Sequence, residues 1–454
     1  MTRAGEVGFT DLYELTMAAA YHEAGHTGEA TFDLFVRSLP ANRQFLVAAG
    51  LADALDHLEA LRVTDAELDH LAGLDWVVDE FLDLLRGLRF TGEVWAMPEG
   101  EVAFPNEPLL RVTAPMIEAQ VVETKLLNLV SSQTMIASKA ARVALACAGR
   151  TFVEFGARRT HGGDAAMQAA RSAWIGGAAG TSLVAAGVRH GIPLAGTMAH
   201  SFVMSFDEEL DAFRAFARRF PRRAVLLIDT YDTEQGARHA VQVARELAGE
   251  GVTIGGVRLD SGDLLRLSSA VRAILDEGGL GDATIFASGD LDEYRITELL
   301  AAGAPIDAFG VGTQLSTSAD APTIGAVYKL VEDPGGPKIK LSADKVTLPG
   351  KKQVWRVGTA EGDTHDVITL ADEEPRLAEG ETARPLLERV MAGGRRVGTD
   401  PSIDELRDRR HRAVSRLPSR LRTLQQREQP YEVHWSPGIQ DLVRRLTEQH
   451  TVSD

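Results

Sequence analysis

The chain has 454 residues, 44% hydrophobic and 25% charged, which is enough apolar material for a sizeable core within two or three domains. Acidic residues outnumber basic ones 65 to 48, and the resulting charge of −17 argues against nonspecific binding to DNA or RNA, because neutralising phosphates needs clustered cations. The single cysteine, Cys147, rules out an intrachain disulfide framework and reads as a small buried residue in VALACAG; with no signal-like apolar core near residue 1 and no run approaching the ~18 apolar residues of a membrane span, a cytoplasmic protein without membrane association is expected.

The first expected element is a helix beginning at Asp11. Thr10 or Asp11 can cap it, and Leu12, Leu15, Met17 and Ala19 supply apolar positions. Residues 47–88 read as two or three amphipathic helices, and residues 89–115 as short strands broken by Gly and Pro. A long helix is expected from about Ile117 to Ala148. From residue 151 onward, short apolar runs each end in a polar cluster: 151–155, 224–229, 256–260, 283–290 and 308–313. Helix-like segments such as 234–250 and 291–302 lie between them. Asp229, Asp260 and Asp290 follow one another at intervals of 31 and 30 residues, the length of one βα unit. Repeated in this way, the pattern predicts a parallel α/β barrel or open sheet, with ligands at the carboxyl ends of the strands. After about Val327 the texture is β-rich, with Lys338, Lys340, Lys345, Lys351 and Lys352. The Pro-, Arg- and Glu-rich stretch 374–425 reads as solvated surface and helix faces.

The polar clusters carry the chemistry. In EFGARRTH (154–161), Arg158 and Arg159 emerge at a strand end, where guanidinium groups can hold phosphate or carboxylate bidentately. Phe155 beside them can stack on a flat ring or simply pack in the core. GGAAGTS (176–182) is a glycine-rich loop that offers backbone amides. His200 follows Gly196-Thr197 and precedes Ser201, immediately after an expected strand. The cluster Arg258-Leu-Asp260-Ser-Gly-Asp263 places an arginine and two carboxylates around a turn, suited to ribose hydroxyls, magnesium waters or an anion. Ser288-Gly289-Asp290 repeats the theme, and Gly310, Gly312 and Thr313 offer a cradle for a terminal phosphate. Each motif alone can also be a helix cap or a turn. Their succession at equivalent places points to one shared site. No metal-ligating histidine spacing such as HxH or HExxH is present.

These residues resemble the nicotinate phosphoribosyltransferases, a type II phosphoribosyltransferase family. The matching stretches are TDLYELTMAAAY (10–21), EFGARRTHGGDAAMQAAR (154–171), GTSLVAAG (180–187), GIPLAGTMAHSFVMSF (191–206), LIDTYDT (227–233), GVRLDSGDL (256–264), FASGDLDEY (286–294) and DAFGVGTQLSTSADAP (307–322) through VYKLVE (327–332). The resemblance implies an α/β fold in which an irregular parallel α/β barrel, residues 115–325, is accompanied by a mixed α+β domain. That second domain would be built from the N-terminal region, residues 1–114, and the C-terminal region, residues 326–454. It further implies a homodimer with shared active sites, in which Tyr13 reaches the partner's site and stacks on the pyridine ring opposite Phe155.

The implied reaction is attack of nicotinate on the ribose carbon of phosphoribosyl pyrophosphate, forming nicotinate mononucleotide and pyrophosphate in NAD biosynthesis. Magnesium would escort the pyrophosphate, and coupled ATP hydrolysis would pass through a phosphorylated His200. By the same resemblance, Arg158 and Arg258 hold anionic groups, Asp229 and Ser201 lie near the bound substrates, Asp260 and Asp290 hold ribose hydroxyls, and Gly289, Gly310, Gly312 and Thr313 bind the 5′-phosphate. The chain departs from many relatives at His161, where they carry glutamine. That leaves open a different pyridine or aromatic carboxylate as acceptor. A non-catalytic phosphoribosyl-pyrophosphate-binding protein is a further alternative, but reactive residue types persist at His200, Arg258, Asp260 and Asp290.

Overall fold

The apolar runs between residues 151 and 311 form the strands Thr151–Glu154, Ala224–Leu227, Ile254–Leu259, Thr284–Ala287 and Ala308–Val311. The computed structural model describes residues 5–222, 224–341, 347–424 and 429–451, and its packing divides the chain into two units, Met1–Ser138 with Thr323–Asp454 and Lys139–Pro322. In the second unit the five strands make one sheet. Its order runs from 151–154 through 308–311, 284–287 and 254–259 to 224–227, and every pairing is parallel. Phe152, Leu226, Val257, Ile285 and Phe309 are buried within it, as expected for a parallel sheet covered on both faces. Single parallel bridges from Glu154 to Thr181 and from Thr181 to Leu194 extend the sheet at one end. Among the described residues no ladder joins its two ends, so a parallel sheet is established and a closed barrel is not.

The strand–polar cluster–helix rhythm has a simple local cause. Asp232, Asp263 and Asp292 each cap the helix that follows a strand, accepting from the amides of Gln235 at 2.8 Å, Leu265 at 3.1 Å and Arg295 at 2.7 Å. These caps start the helices Thr233–Leu247, Leu264–Glu277 and Glu293–Ala301. Deeper in this unit, Glu293 is buried between Lys139 at 2.5 Å and Arg142 at 2.9 Å, a paired arrangement that makes its burial tolerable. Cys147 is fully buried, and burial pushes its thiol up to about 12.

The first unit begins with the helix Leu12–Glu23. Asp11 occupies the cap position without a capping bond, and its carboxylate instead accepts from Thr124 Oγ1 at 2.9 Å. Glu14 Oε1 takes the Thr124 amide at 3.0 Å. That bond accounts for a departure from the single helix expected over 117–148, which is divided at Val122 into Met116–Val121 and Glu123–Ala146. Residues 47–88 hold three helices, Leu51–Glu59, Asp65–Leu71 and Asp79–Gly87. An antiparallel seven-stranded sheet runs through 336–337, 326–333, 29–36, 108–115, 93–96, 388–392 and 395–396. A four-stranded sheet has the order 382–385, 352–358, 363–370, 432–435.

Of the lysines in the β-rich stretch, Lys352 is buried against Asp33 at 2.8 Å, whereas Lys338 and Lys351 pair near the surface with Asp333 and Glu29. Lys345 lies outside the described residues. Arg356, fully buried, holds Asp366 with Nε and Nη2 at 2.9 and 2.6 Å and Glu101 with Nη1 at 2.8 Å. Burial and the nearby Asp366 carboxylate hold the Glu107 carboxyl well above the usual range. The stretch 374–425 is largely exposed, but it contains the strands Thr382–Pro385 and Glu388–Ala392 and the helix Ile403–Arg416. Among the described residues no helix is long and apolar enough to cross a membrane.

Candidate active site

At the carboxyl ends of the parallel strands, charged groups from neighbouring strands meet. Leu259 pairs with Ala287, so the residues that follow, Asp260 and Ser288, emerge side by side. Ser288 donates to Asp260 Oδ1 at 2.5 Å and accepts from Arg258 Nε at 2.9 Å. Arg258 Nη2 also donates to Asp260 Oδ1 at 2.7 Å, and Nη1 donates to Thr197 Oγ1 at 3.1 Å. Burial raises the Asp260 carboxyl, but the hydrogen bonds from Ser288 and Arg258 and the charges of Arg258 and His200 outweigh it and leave Asp260 below its ordinary value. Asp260 is therefore an acceptor at neutral pH, fixed in place by two donors.

One strand away, Asp229 Oδ2 accepts from the Asp260 amide at 2.8 Å and from Ser261 Oγ at 2.7 Å. Its other oxygen, Oδ1, is buried and has no hydrogen-bond partner among the described residues. A buried carboxyl oxygen in that position calls for a partner, which a ligand can supply.

His200 begins the short helix His200–Met204. Residues before it do not form the strand expected from sequence; Leu194 contributes only an isolated bridge. The ring is nevertheless anchored on two sides, with Nδ1 3.1 Å from Thr230 Oγ1 and Nε2 3.8 Å from Asp260 Oδ2. Its side chain is 40% exposed, so it combines a fixed orientation with access from solvent.

Phe155 follows Glu154 and donates its amide to Val311 O at 2.9 Å. Its ring lies 5.7 Å from that of Phe286, and the Arg258 guanidinium stands 5.8 Å over it. Gly310 lies within its strand opposite Val153, and a Cβ there would come within 2.6 Å of the Phe155 ring. Its lack of a side chain thus has a packing reason. Gly289 has φ +95°, and a Cβ on it would approach Asp260 O to 2.1 Å, so only glycine fits. Gly312 precedes the single turn Thr313–Ser316. Behind that turn Glu154, almost fully buried, accepts from Thr181 Oγ1 at 2.7 Å and Ser316 Oγ at 2.8 Å and also from the Gly156 amide.

The remaining sequence candidates are less tightly held. Arg158 lies in the 3₁₀ turn Ala157–Arg159 and is exposed, as are His161, Ser201 and Asp290. Asp290 adopts a positive φ of 46°, uncommon for a residue other than glycine. Gly177, in the glycine-rich loop, ends the helix Gly163–Gly176 with φ +117°, so this part of the loop is a helix terminus. Asp263 is likewise engaged as a cap. Tyr13 belongs to the first unit and is 47% exposed. Burial, then the neighbouring Glu123 carboxylate, pushes its hydroxyl well above the ordinary tyrosine range, so the phenol is neutral. Sequence reading did not single out Ser288, Thr230, Thr181 or Glu154 for a role of their own, because each acts through a cross-strand or loop contact. No three His, Cys, Asp or Glu side chains among the described residues converge to hold a metal ion.

Three family models match the chain in succession: the nicotinate phosphoribosyltransferase N-terminal domain over residues 9–131, the nicotinate phosphoribosyltransferase family over 151–347, and the nicotinate phosphoribosyltransferase C-terminal domain over 351–443. The nicotinate phosphoribosyltransferase pncB2 of Mycobacterium tuberculosis is 49% identical over 442 residues, covering 96% of this chain and 93% of the relative. The chain belongs to the nicotinate phosphoribosyltransferase family. A nicotinate phosphoribosyltransferase of Bacillus subtilis is 46% identical over 376 residues, covering 80% of this chain and 76% of its own length. The crystal structure of human nicotinic acid phosphoribosyltransferase superposes with a TM-score of 0.86 at 31% identity, covering 96% of this chain and 99% of that one. The cluster of Arg258, Asp260, Ser288 and His200 lies at the carboxyl ends of the strands, where parallel α/β sheets commonly bind their ligands.

Proposed function

We propose that this chain is a nicotinate phosphoribosyltransferase of NAD biosynthesis. It joins nicotinate to phosphoribosyl pyrophosphate, forms nicotinate mononucleotide and pyrophosphate, and couples the reaction to ATP hydrolysis. The observation that carries the reading is the pre-formed Arg258–Asp260–Ser288 arrangement beside His200, in a chain whose family membership extends over nearly its whole length.

In the reaction the pyridine nitrogen lone pair forms the bond to the ribose C1, and the bond from C1 to the pyrophosphate oxygen breaks with its electrons. The transition state has oxocarbenium character, and fixed charges favour it without covalent catalysis. Phe155, with Tyr13 of a partner subunit, holds the ring; Arg158 and Arg258 hold the carboxylate or phosphate groups. Asp260 and Asp290 accept from ribose hydroxyls, and the free oxygen of Asp229 accepts from bound substrate near Ser201. Gly289, Gly310, Gly312 and Thr313 bound the 5′-phosphate. Magnesium would arrive with the phosphates of the substrate and would neutralise charge on the leaving pyrophosphate. When His200 Nδ1–H donates to Thr230, Nε2 keeps the lone pair that bonds to the terminal phosphorus of ATP while the bond from that phosphorus to its bridging oxygen breaks and ADP leaves with the electrons; water later removes the phosphoryl group as phosphate, and Asp260 lies beside the ring while it carries positive charge. The homodimer with shared sites and a cytoplasmic location complete the reading.

Product formation with phosphoribosyl pyrophosphate and magnesium, comparing nicotinate, nicotinamide and quinolinate with and without ATP, tests it. ATP-stimulated nicotinate mononucleotide formation is expected, and turnover with another acceptor alone would overturn the assignment. His200→Ala should abolish stimulation by ATP while a slow ATP-independent reaction remains. Full stimulation in that variant would remove His200 from the coupling step.

A further inference from the structure

The helix Ile403–Arg416 carries five arginines against three acidic residues, a local cationic surplus in a chain whose net charge is −17. Arg409, Arg412 and Arg416 recur at three- and four-residue spacing and so share one face. With Arg384 from the strand Thr382–Pro385, they line a pocket of about 290 Å³. Leu386 and Ala413 add apolar wall, and Glu101 and Glu388 are the carboxylates that line it among the described residues. Four guanidinium groups meet two lining carboxylates and Asp363, which pairs with Arg416 just behind the wall, so positive charge is in excess by one.

Three of these arginines are held in place by partners that occupy only part of their donor capacity. Arg409 Nη1 donates to Glu99 O at 2.8 Å, and Arg384 Nη1 to Glu101 Oε2 at 2.8 Å. Arg416 donates from Nε to Asp363 Oδ1 at 2.8 Å and from Nη2 to Thr359 O at 3.1 Å. A guanidinium has five N–H donors, so each retains several. Arg412 is exposed and has no side-chain partner among the described residues. A solvated helix face would explain arginines splayed toward water. It does not explain four of them around one concavity, three fixed by their neighbours, with positive charge in excess.

We propose that this pocket binds a phosphate-type anion, either free diphosphate or the phosphoryl end of a nucleotide. Arg412 and Arg409 would be the principal ligands, and Arg384 and Arg416 would complete the ring of donors. A multiply charged anion suits the cationic lining, and tetrahedral oxygens can engage several guanidinium groups at once. The pocket size suits a small anion. None of the residues assigned to catalysis above takes part, so the site stands or falls independently of the proposed reaction. Glu101 also bonds buried Arg356, so ligand binding at Arg384 bears on an ion pair in the core of its own unit.

Calorimetric titration of the full chain with inorganic diphosphate, and separately with adenosine diphosphate, tests this. The wild type, Arg412→Glu, Arg412→Lys and Arg258→Ala chains would be compared. Arg412→Glu should lose one class of anion binding by at least about tenfold while retaining turnover at saturating substrates. Arg412→Lys should retain part of it, and Arg258→Ala should keep the class that Arg412→Glu loses. Equal affinity for the two anions would identify the phosphoryl group as the feature recognised; tighter adenosine diphosphate binding would identify a nucleotide. If Arg412→Glu, shown to be folded by circular dichroism, gives isotherms superimposable on wild type for both anions, the site does not exist.

Discussion

Ser288 stands between a guanidinium and a carboxylate and satisfies both, with Arg258 Nε 2.9 Å on one side and Asp260 Oδ1 2.5 Å on the other. Replacing it with alanine removes a donor and an acceptor while leaving both charged groups partly buried. Ser288→Ala should therefore lower kcat/KM by about 10- to 100-fold, as Arg258 and Asp260 lose the group that aligns them, and should also lower the melting temperature, because the unsatisfied groups cost the folded state about 1–3 kcal/mol. Steady-state kinetics and thermal melting decide this, and an unchanged kcat/KM would make Ser288 a bystander. Asp260 yields a prediction of a different kind. Its folded value lies below the unfolded one, so its carboxylate stabilises the fold above the unfolded value, and the contribution is lost as pH falls through the folded value. The gap in urea midpoint between wild type and Asp260→Asn should thus hold steady above the ordinary aspartate range and narrow as pH falls below it. The sequence displays Arg258, Asp260 and the SGD motif plainly. It cannot display Ser288 as their link, because that depends on Leu259 lying opposite Ala287, a register fixed by the parallel sheet as a whole.

At the level of elements, the polar clusters turn out to divide their labour. In each βα unit the later aspartate (Asp232, Asp263, Asp292) is spent on the following helix as its cap, and the earlier one (Asp229, Asp260, Asp290) is left toward the strand end. Spacing alone makes the two kinds look equivalent, which is why Asp263 reads in sequence as a candidate ligand. The glycines sort in the same way. Gly310 gives room to the Phe155 ring from within a strand, and Gly289 turns the chain where a side chain would strike Asp260. In Gly310→Ala the new methyl would lie 2.6 Å from Phe155 and 2.9 Å from Phe286. The ring must then shift, at a cost of about 1–3 kcal/mol in stability. If Phe155 holds the acceptor, the KM for nicotinate should rise more than that for phosphoribosyl pyrophosphate. Equal changes in both would separate Phe155 from acceptor binding. The division of the helix at Val122 was hidden for a similar reason: Glu14, more than a hundred residues earlier, takes the Thr124 amide.

On the scale of the whole molecule, the βα repeat could be read along the chain because each unit is local. The other unit could not, since it joins Met1–Ser138 to Thr323–Asp454 across the intervening residues, and strand 29–36 finds its neighbour at 326–333. Only the family resemblance supplied that link. The proposed sharing of sites between subunits is tested by mixing two defective chains. When Tyr13→Ala and Arg258→Ala are co-expressed, random pairing should restore one intact site in each mixed dimer, about a quarter of all sites. No recovery would place Tyr13 and Arg258 in the same subunit's site. Such experiments call for a way to watch one position in a large chain, and Cys147 provides it by being inert. Its thiol is buried and pushed up to about 12, so at neutral pH it offers almost no thiolate to a maleimide. A reporter dye attached through a surface substitution such as Arg412→Cys would then sit on a dark background, with no native cysteine to remove first.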